Sequence, residues 1–225
     1  ARTPDLAISP EDGIAINGTG RIRWQDAAEG TTERSFVGVF DAYKALGLPG
    51  FAHHVIAAQA ALGVENQDAI STFTAGGRSG QTLQVVPGIA VGDEPQDFGV
   101  RGYPLGSAQG TRAFAGSLEY RAPLFEAGRG FHLLPAYLGT TSMSVFTDVA
   151  EAWCPAVGAI LATVCEAPDA QRKLMNSVGA ELNFVTSLQY DVPYRLRLGF
   201  GVPLANRRYY DAGPIDFYVT FGLPF

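Results

Sequence analysis

The residue types able to do chemistry in this chain are few, and their spacing removes most options. His53 and His54 are adjacent, and neighbours on a strand point to opposite faces, so the two cannot chelate one metal together. His132 stands near a chain reversal and takes no role. Cys154 and Cys165 lie close together in a loop-like stretch, which suits one disulfide in an oxidising compartment, with two free thiols as the alternative. There is no Gly-x-Ser-x-Gly, no His-Glu-x-x-His, no phosphate-binding glycine loop and no metal-spaced cysteine pair, so no catalytic residue, metal or cofactor is expected and the chain reads as non-enzymatic. One motif remains, Phe98-Gly99-Val100-Arg101-Gly102-Tyr103-Pro104. A guanidinium can grip a carboxylate with two parallel hydrogen bonds, and a glycine beside it suits a tight tip because it tolerates positive φ. On spacing alone, Arg101 is a solvated loop arginine, and Glu119 and Asp148 merely line a polar interior.

The elements that would position such a motif must come from a chain of 225 residues, enough for one substantial domain. Apolar residues make up 47%, charged residues only 17%, and glycine is frequent at 27, yet the mean hydropathy is just +0.08. No uninterrupted apolar run reaches the roughly 18 residues a membrane helix needs. A membrane barrel stays open, because its strands alternate between lipid-facing and interior-facing residues and average to near-neutral hydropathy. The net charge of -6 leaves no basic cluster able to neutralise several phosphates, which argues against nucleic acid. The opening Ala-Arg-Thr-Pro lacks the basic-then-apolar pattern of a signal peptide, so either a leader was removed or the chain is a fragment.

Period-two alternation is clearest in the C-terminal half. Val178, Ala180, Leu182, Phe184, Leu188 and Tyr190 oppose Gly179, Glu181, Asn183, Ser187 and Gln189. After a turn at Asp191-Val192-Pro193-Tyr194, Leu196, Leu198, Phe200 and Val202 alternate with Arg195, Arg197, Gly199 and Gly201. Phe217, Val219, Phe221, Leu223 and Phe225 then form an aromatic-rich apolar face that runs to the last residue. Further strands fit 13–24, 34–45, 51–62, 112–124 and 130–150, giving eight, with a small hairpin around 82–91. A soluble β-sandwich could give the same alternation, but glycine and polar residues on the second face would make a poor sandwich core. The linkers at 46–50, 125–130 and 191–194 are short, whereas two of those at 25–33, 63–111, 151–174 and 206–213 are very long. Short turns on one side and long loops on the other are the pattern of an outer-membrane barrel whose terminal strand runs towards the periplasm. Trp24, Tyr137, Trp153, Tyr209 and Tyr210 suit membrane interfaces, with ordinary packing as the alternative.

The Val100-Arg101-Gly102-Tyr103 tip is followed by Ser117-Leu118-Glu119-Tyr120-Arg121-Ala122-Pro123-Leu124. This ordered set resembles the barrel of the BamA, TamA and FhaC superfamily, the bacterial surface antigens, whose sixth outer loop carries a V/L-R-G-F/Y tip just before an S-x-E-Y-R-x-P-L strand. The likeness extends from the strand at 13–24 through Phe225. It implies that the loop folds back into the barrel lumen and that Arg101 meets Glu119 on the next strand and Phe146 with Asp148 on the one after. The latter two lie in Ser144-Val145-Phe146-Thr147-Asp148-Val149-Ala150, where the family has F-x-D-x-G and this chain has Ala150 for the glycine. Phe146 and Asp148, two apart, face the same way.

The resemblance further implies an all-β antiparallel transmembrane barrel in the bacterial outer membrane, spanning residues 1–225. Its function would be polypeptide insertion or translocation, without a cofactor. Its partners would be outer-membrane lipid, the barrel-assembly machinery through the terminal Phe217–Phe225 strand, and unfolded outer-membrane or secreted polypeptides. Family members have sixteen strands and periplasmic POTRA repeats. An eight-stranded barrel is filled by its own side chains and could not admit a long loop, so the chain is expected to be the C-terminal half of a larger barrel. The alternatives are a barrel anchor for an upstream periplasmic or surface domain, or a self-contained small structural or adhesin barrel. An enzyme would require a catalytic domain upstream.

Overall fold

The computed structural model describes residues 7–24, 32–66, 72–77, 83–86, 89–91, 97–131, 134–155, 173–188 and 192–222. The chain is all-β. Eight long strands are β1 (Gly13–Trp24), β2 (Thr32–Leu46), β3 (His54–Glu65), β9 (Arg112–Phe131), β10 (Leu134–Trp153), β11 (Met175–Leu188), β12 (Val192–Pro203) and β13 (Asp216–Gly222). Among the described residues, five short ones lie between β3 and β9: β4 (Phe73–Ala75), β5 (Leu83–Val86), β6 (Ile89–Val91), β7 (Asp97–Phe98) and β8 (Ala108–Gly110).

The long strands form one antiparallel sheet in the order β1-β2-β3-β9-β10-β11-β12-β13, each beside its sequence neighbour once the insertion is set aside. The expected strand count and the hairpin near 82–91, formed by β5 and β6, are both present. Closure is not: among the described residues β1 pairs only with β2 and β13 only with β12, so the sheet is open. Two expected turns also move. Residues 125–130 are strand, because β9 runs on to Phe131 through register shifts opposite Leu138 to Ser142. Val192 and Pro193 pair with Leu188 and Ser187, so β12 begins inside the expected 191–194 turn. Proline at strand residue two is tolerated where its missing N–H is not required by the ladder.

The period-two pattern becomes two unlike faces. One cross-strand row, Ile56, Tyr120, Val145, Ala180, Phe200 and Phe217, lies on one side. Ile56, Val145, Phe200 and Phe217 there are exposed, as are Ile14, Ile16, Leu118, Leu182, Leu198, Val219 and Phe221. The adjacent rows point the other way. Gln59, Ser117, Asp148 and Ser177 form one, Ala57, Glu119, Phe146, Gly179, Gly201 and Asp216 the next, and Arg121, Ser144, Glu181, Gly199 and Tyr218 the third. The polar face is thus the covered one and the apolar face the exposed one.

What covers the polar face is the insertion. β4 pairs with β7 and β8 in a three-stranded sheet, and Phe73, Ala75, Phe98, Val100 and Tyr103 from it pack on Ala113, Ala150, Ala152, Met175 and Tyr210. The Phe73 and Phe98 rings meet edge-on at 5.4 Å. They do so over Gly63 of β3, where a Cβ would stand 2.8 Å from both rings. Gly63→Leu is therefore expected to lift the insertion off the sheet and to cost about 1–3 kcal/mol, the usual penalty of overpacking. Urea unfolding would show this, and a native-like midpoint would mean that the rings do not rest on this strand.

Candidate functional site

The tip of the insertion is a turn in which Tyr103 N–H donates to Val100 O at 3.4 Å, with Gly102 at φ +96°. Only glycine takes that conformation without strain at the third residue of such a turn. Gly77 N–H donates to Tyr103 O at 3.0 Å and Gly77 forms a bridge with Val100, so the tip is braced from its own insertion before it touches the sheet. Val100 is fully buried and Tyr103 nearly so. The Tyr103 hydroxyl lies between the carbonyls of Asn176, at 2.9 Å, and Ala205, and accepts from Asn176 N–H at 3.3 Å. Burial raises its pKa above the ordinary tyrosine value.

Arg101 points from this tip onto the polar rows. Its Nε and Nη2 donate to Asp148 Oδ2 and Oδ1, both at 2.7 Å, in a bidentate grip. Nη1 donates to Glu119 Oε1 at 2.7 Å and to Glu181 Oε1 at 3.0 Å. Nη2 also donates to Ser117 Oγ at 3.1 Å, and the Ser117 hydroxyl in turn donates a hydrogen bond to Asp148 Oδ1 at 2.7 Å. Every N–H of the guanidinium is thereby used, which is what burial of this group requires. Its carbon lies 3.4 Å from the centre of the Phe146 ring, a cation–π contact inside a site where the side chain is only 12% exposed. Glu119 Oε2 accepts from Arg121 Nε at 2.8 Å. Burial works against the charge on Arg101, but the hydrogen bond and charge of Asp148, with Glu119 and Glu181, outweigh it and hold the group above its ordinary pKa.

The expected partners Glu119, Phe146 and Asp148 are thus brought together on one face. Two more participants escaped the sequence reading: Glu181, which completes the carboxylate set, and Ser117. Both sat on the polar side of the alternation, but only the pairing register puts them at Arg101. Three glycines make the space. A Cβ at Gly201 would stand 2.7 Å from Gly102 N, one at Gly199 would stand 2.6 Å from Tyr218 Cζ, and one at Gly179 would collide with Phe146 and with Phe200 O. Ala150, which stands where the resembled F-x-D-x-G pattern has glycine, is fully buried under the insertion, where its methyl joins the apolar cluster. A cavity of about 990 Å³ remains beside the tip, bordered by Arg101, Arg195, Arg197 and Tyr218.

Phe217, Val219 and Phe221 are exposed on the apolar face, while Leu223 and Phe225 lie outside the described residues. Cys154 is buried and disulfide-bonded; Cys165 and His132 also lie outside the described residues. His53 contacts Glu11 at 3.0 Å and His54 contacts Tyr120 at 2.6 Å, so they share no ligand. Tyr210, in the loop after β12, is buried against Tyr103, with its pKa pushed up to about 12 by burial. Trp24 is exposed. No family model, curated protein or solved structure matches this chain.

Removing one partner of a buried ion cluster leaves the others uncompensated, at a cost of about 3–5 kcal/mol. Arg101→Ala is expected to destabilise by that amount. Arg101→Lys should recover only part, since an ammonium cannot make the bidentate contact to Asp148. Urea unfolding of both variants checks this, and a lysine variant as stable as the native chain would show that the forked geometry is not needed.

Proposed function

We propose that this chain is the wall of a bacterial outer-membrane β-barrel of the BamA, TamA and FhaC type, which inserts or translocates polypeptides. The observation that carries the reading is the seating of Arg101, at the tip of a long insertion between adjacent strands, on Asp148, Glu119 and Phe146 of the two strands that follow. That is the contact the sequence resemblance implies, and it joins residues up to 47 positions apart. The polarity of the sheet supports the membrane part of the reading. A water-soluble protein rarely exposes a contiguous apolar patch beyond a few hundred Å², whereas a barrel wall faces lipid with one side of each strand and a polar lumen with the other.

The open edges support a larger barrel. β1 and β13 carry backbone N–H and C=O groups that an adjoining strand would pair, and a lumen that holds a folded insertion needs more wall than eight strands provide. An open eight-stranded sheet does not favour the self-contained small barrel. In the proposed mechanism the seated insertion braces the wall from within, and the seam beside β13 admits a strand of an unfolded client by strand addition. The terminal strand would be the part read by the barrel-assembly machinery, and lipid would cover the apolar face.

Leu182 lies midway along β11 on that face and is exposed. Leu182→Arg is expected to cost about 2–4 kcal/mol in a phosphatidylcholine bilayer, as charge does near the midplane. Bilayer unfolding titrations that give a cost within about 0.5 kcal/mol, the scale of a water-facing surface change, would sink the membrane reading. For the polypeptide-handling part, vesicles carrying the chain should speed the folding of an added unfolded outer-membrane barrel protein over protein-free vesicles. Arg101→Lys should remove most of that gain. Equal folding in protein-free and loaded vesicles would reject this activity while leaving the bilayer result standing.

A further inference from the structure

The insertion and the edge strand β13 are joined through one carboxylate oxygen. Tyr218, on β13, donates its hydroxyl proton to Glu181 Oε1 on β11 at 2.5 Å, and the same oxygen accepts from Arg101 Nη1 at 3.0 Å. Both Glu181 and Tyr218 are about 6% exposed, so the bond is shielded from competing water. It spans β12 entirely. Glu181, Gly199 and Tyr218 occupy one cross-strand row, and the phenol reaches over the backbone of Gly199, where a Cβ would stand 2.6 Å from Tyr218 Cζ and 2.8 Å from Glu181 Cγ. The missing side chain at 199 is what lets β13 touch β11.

This contact adds a tie to β11 for a strand that is otherwise paired with β12, where Phe221 stacks on Tyr194 at 4.7 Å. β13 is seven residues long and lies at the sheet edge, with β12 as its strand neighbour. A hydrogen bond from a neutral donor to a buried carboxylate is among the stronger single contacts a side chain can make. Glu181 in turn is aligned by Arg101, which arrives only when the insertion is seated. We propose that Glu181 and Tyr218 are positioning residues that tie the closed state of the β13 edge to the seating of the Arg101 tip. Withdrawal of the tip frees Glu181, loosens Tyr218 and raises the opening frequency of β13. Admission of a client strand at that edge rests on the function proposed above; the tie itself rests on the geometry alone.

Hydrogen exchange of the full-length chain in phosphatidylcholine vesicles tests the tie without any client. Tyr218→Phe keeps the ring and removes the proton. It is expected to raise exchange of the β13 amides about tenfold, the effect of losing one hydrogen bond to a charged group, with β9 and β10 unchanged. Glu181→Gln and Arg101→Lys should accelerate β13 as well, although the guanidinium hydrogen bonds described for Arg101 go to β9, β10 and β11. The double variant Arg101→Lys with Tyr218→Phe should exchange no faster at β13 than the faster single variant, because both break one chain of contacts. The proposal is overturned if Arg101→Lys leaves β13 at its native rate, or if the two effects multiply. Should Arg101→Lys fail to fold, Glu181→Gln paired with Tyr218→Phe gives the same cycle with the same rejecting outcomes. Failure of the client-folding assay with these exchange results intact would reject the function and not the tie.

Discussion

A guanidinium withdrawn from water must have all its N–H groups answered, and in this protein that single requirement reaches across the sheet. Arg101 is answered by Asp148 on β10, Glu119 and Ser117 on β9, and Glu181 on β11. The set is drawn from three strands, with Asp148 using both oxygens on Arg101 and the two Nη1 protons going to Glu119 and Glu181. The site therefore fixes the relative register of three strands as well as the position of the tip. Arg101 and Arg121 stand against Asp148, Glu119 and Glu181, and the Tyr218 hydroxyl donates to Glu181. Because the acidic partners hold Arg101 above its ordinary pKa, its contribution is complete below that ordinary value and fades only as pH climbs through the raised one, so the anchor holds throughout the neutral range.

Space for this arrangement comes from residues with no side chain. Gly179 leaves room for the Phe146 ring, Gly201 for the Gly102 backbone and Gly199 for Tyr218. Glycine inside a strand weakens it by entropy and by lost packing. The sheet accepts that cost on the one stretch where a tip and two aromatic rings must lie flat against its backbone. The same rows explain why the large apolar side chains in the middle of β11 and β12 project the other way: with the covered face there given to carboxylates, glycines and arginines, Leu182, Leu198 and Phe200 are left exposed.

How much of this was legible in the sequence follows from the range of the interactions. Alternation is local, so the eight long strands and their two faces could be read from residue types, and the loop motif with its resemblance supplied Glu119, Phe146 and Asp148. Register is not local. Glu181 reads as one more polar residue on an alternating strand until its pairing with Gly199 and Ser144 places it beside Arg101, and Tyr218 reads as one more aromatic. The turns at 125–130 and 191–194 were misplaced for a related reason. Gly128, with φ +55°, and Pro193 are strong turn signals in isolation, yet both are carried inside strands, the first near a register irregularity and the second near a strand start.

The apolar core belongs to the insertion more than to the sheet. Phe73, Phe98, Val100 and Tyr103 supply its bulk, while the long strands beneath contribute mainly Ala113, Ala150, Ala152 and Met175. Small residues there let the insertion lie close, and they leave the covered face of the sheet with little to bury on its own. The seat likewise does not exist in pieces. Arg101 needs β9, β10 and β11, Gly102 lies against Gly201 of β12, and Tyr218 of β13 bonds the carboxylate that Arg101 also uses. A slip of one residue in any of these pairings would turn that strand's contribution to the opposite face. A seated tip is thus a physical readout that five consecutive strands have paired in register, and the strand that completes the readout is the one left at the edge.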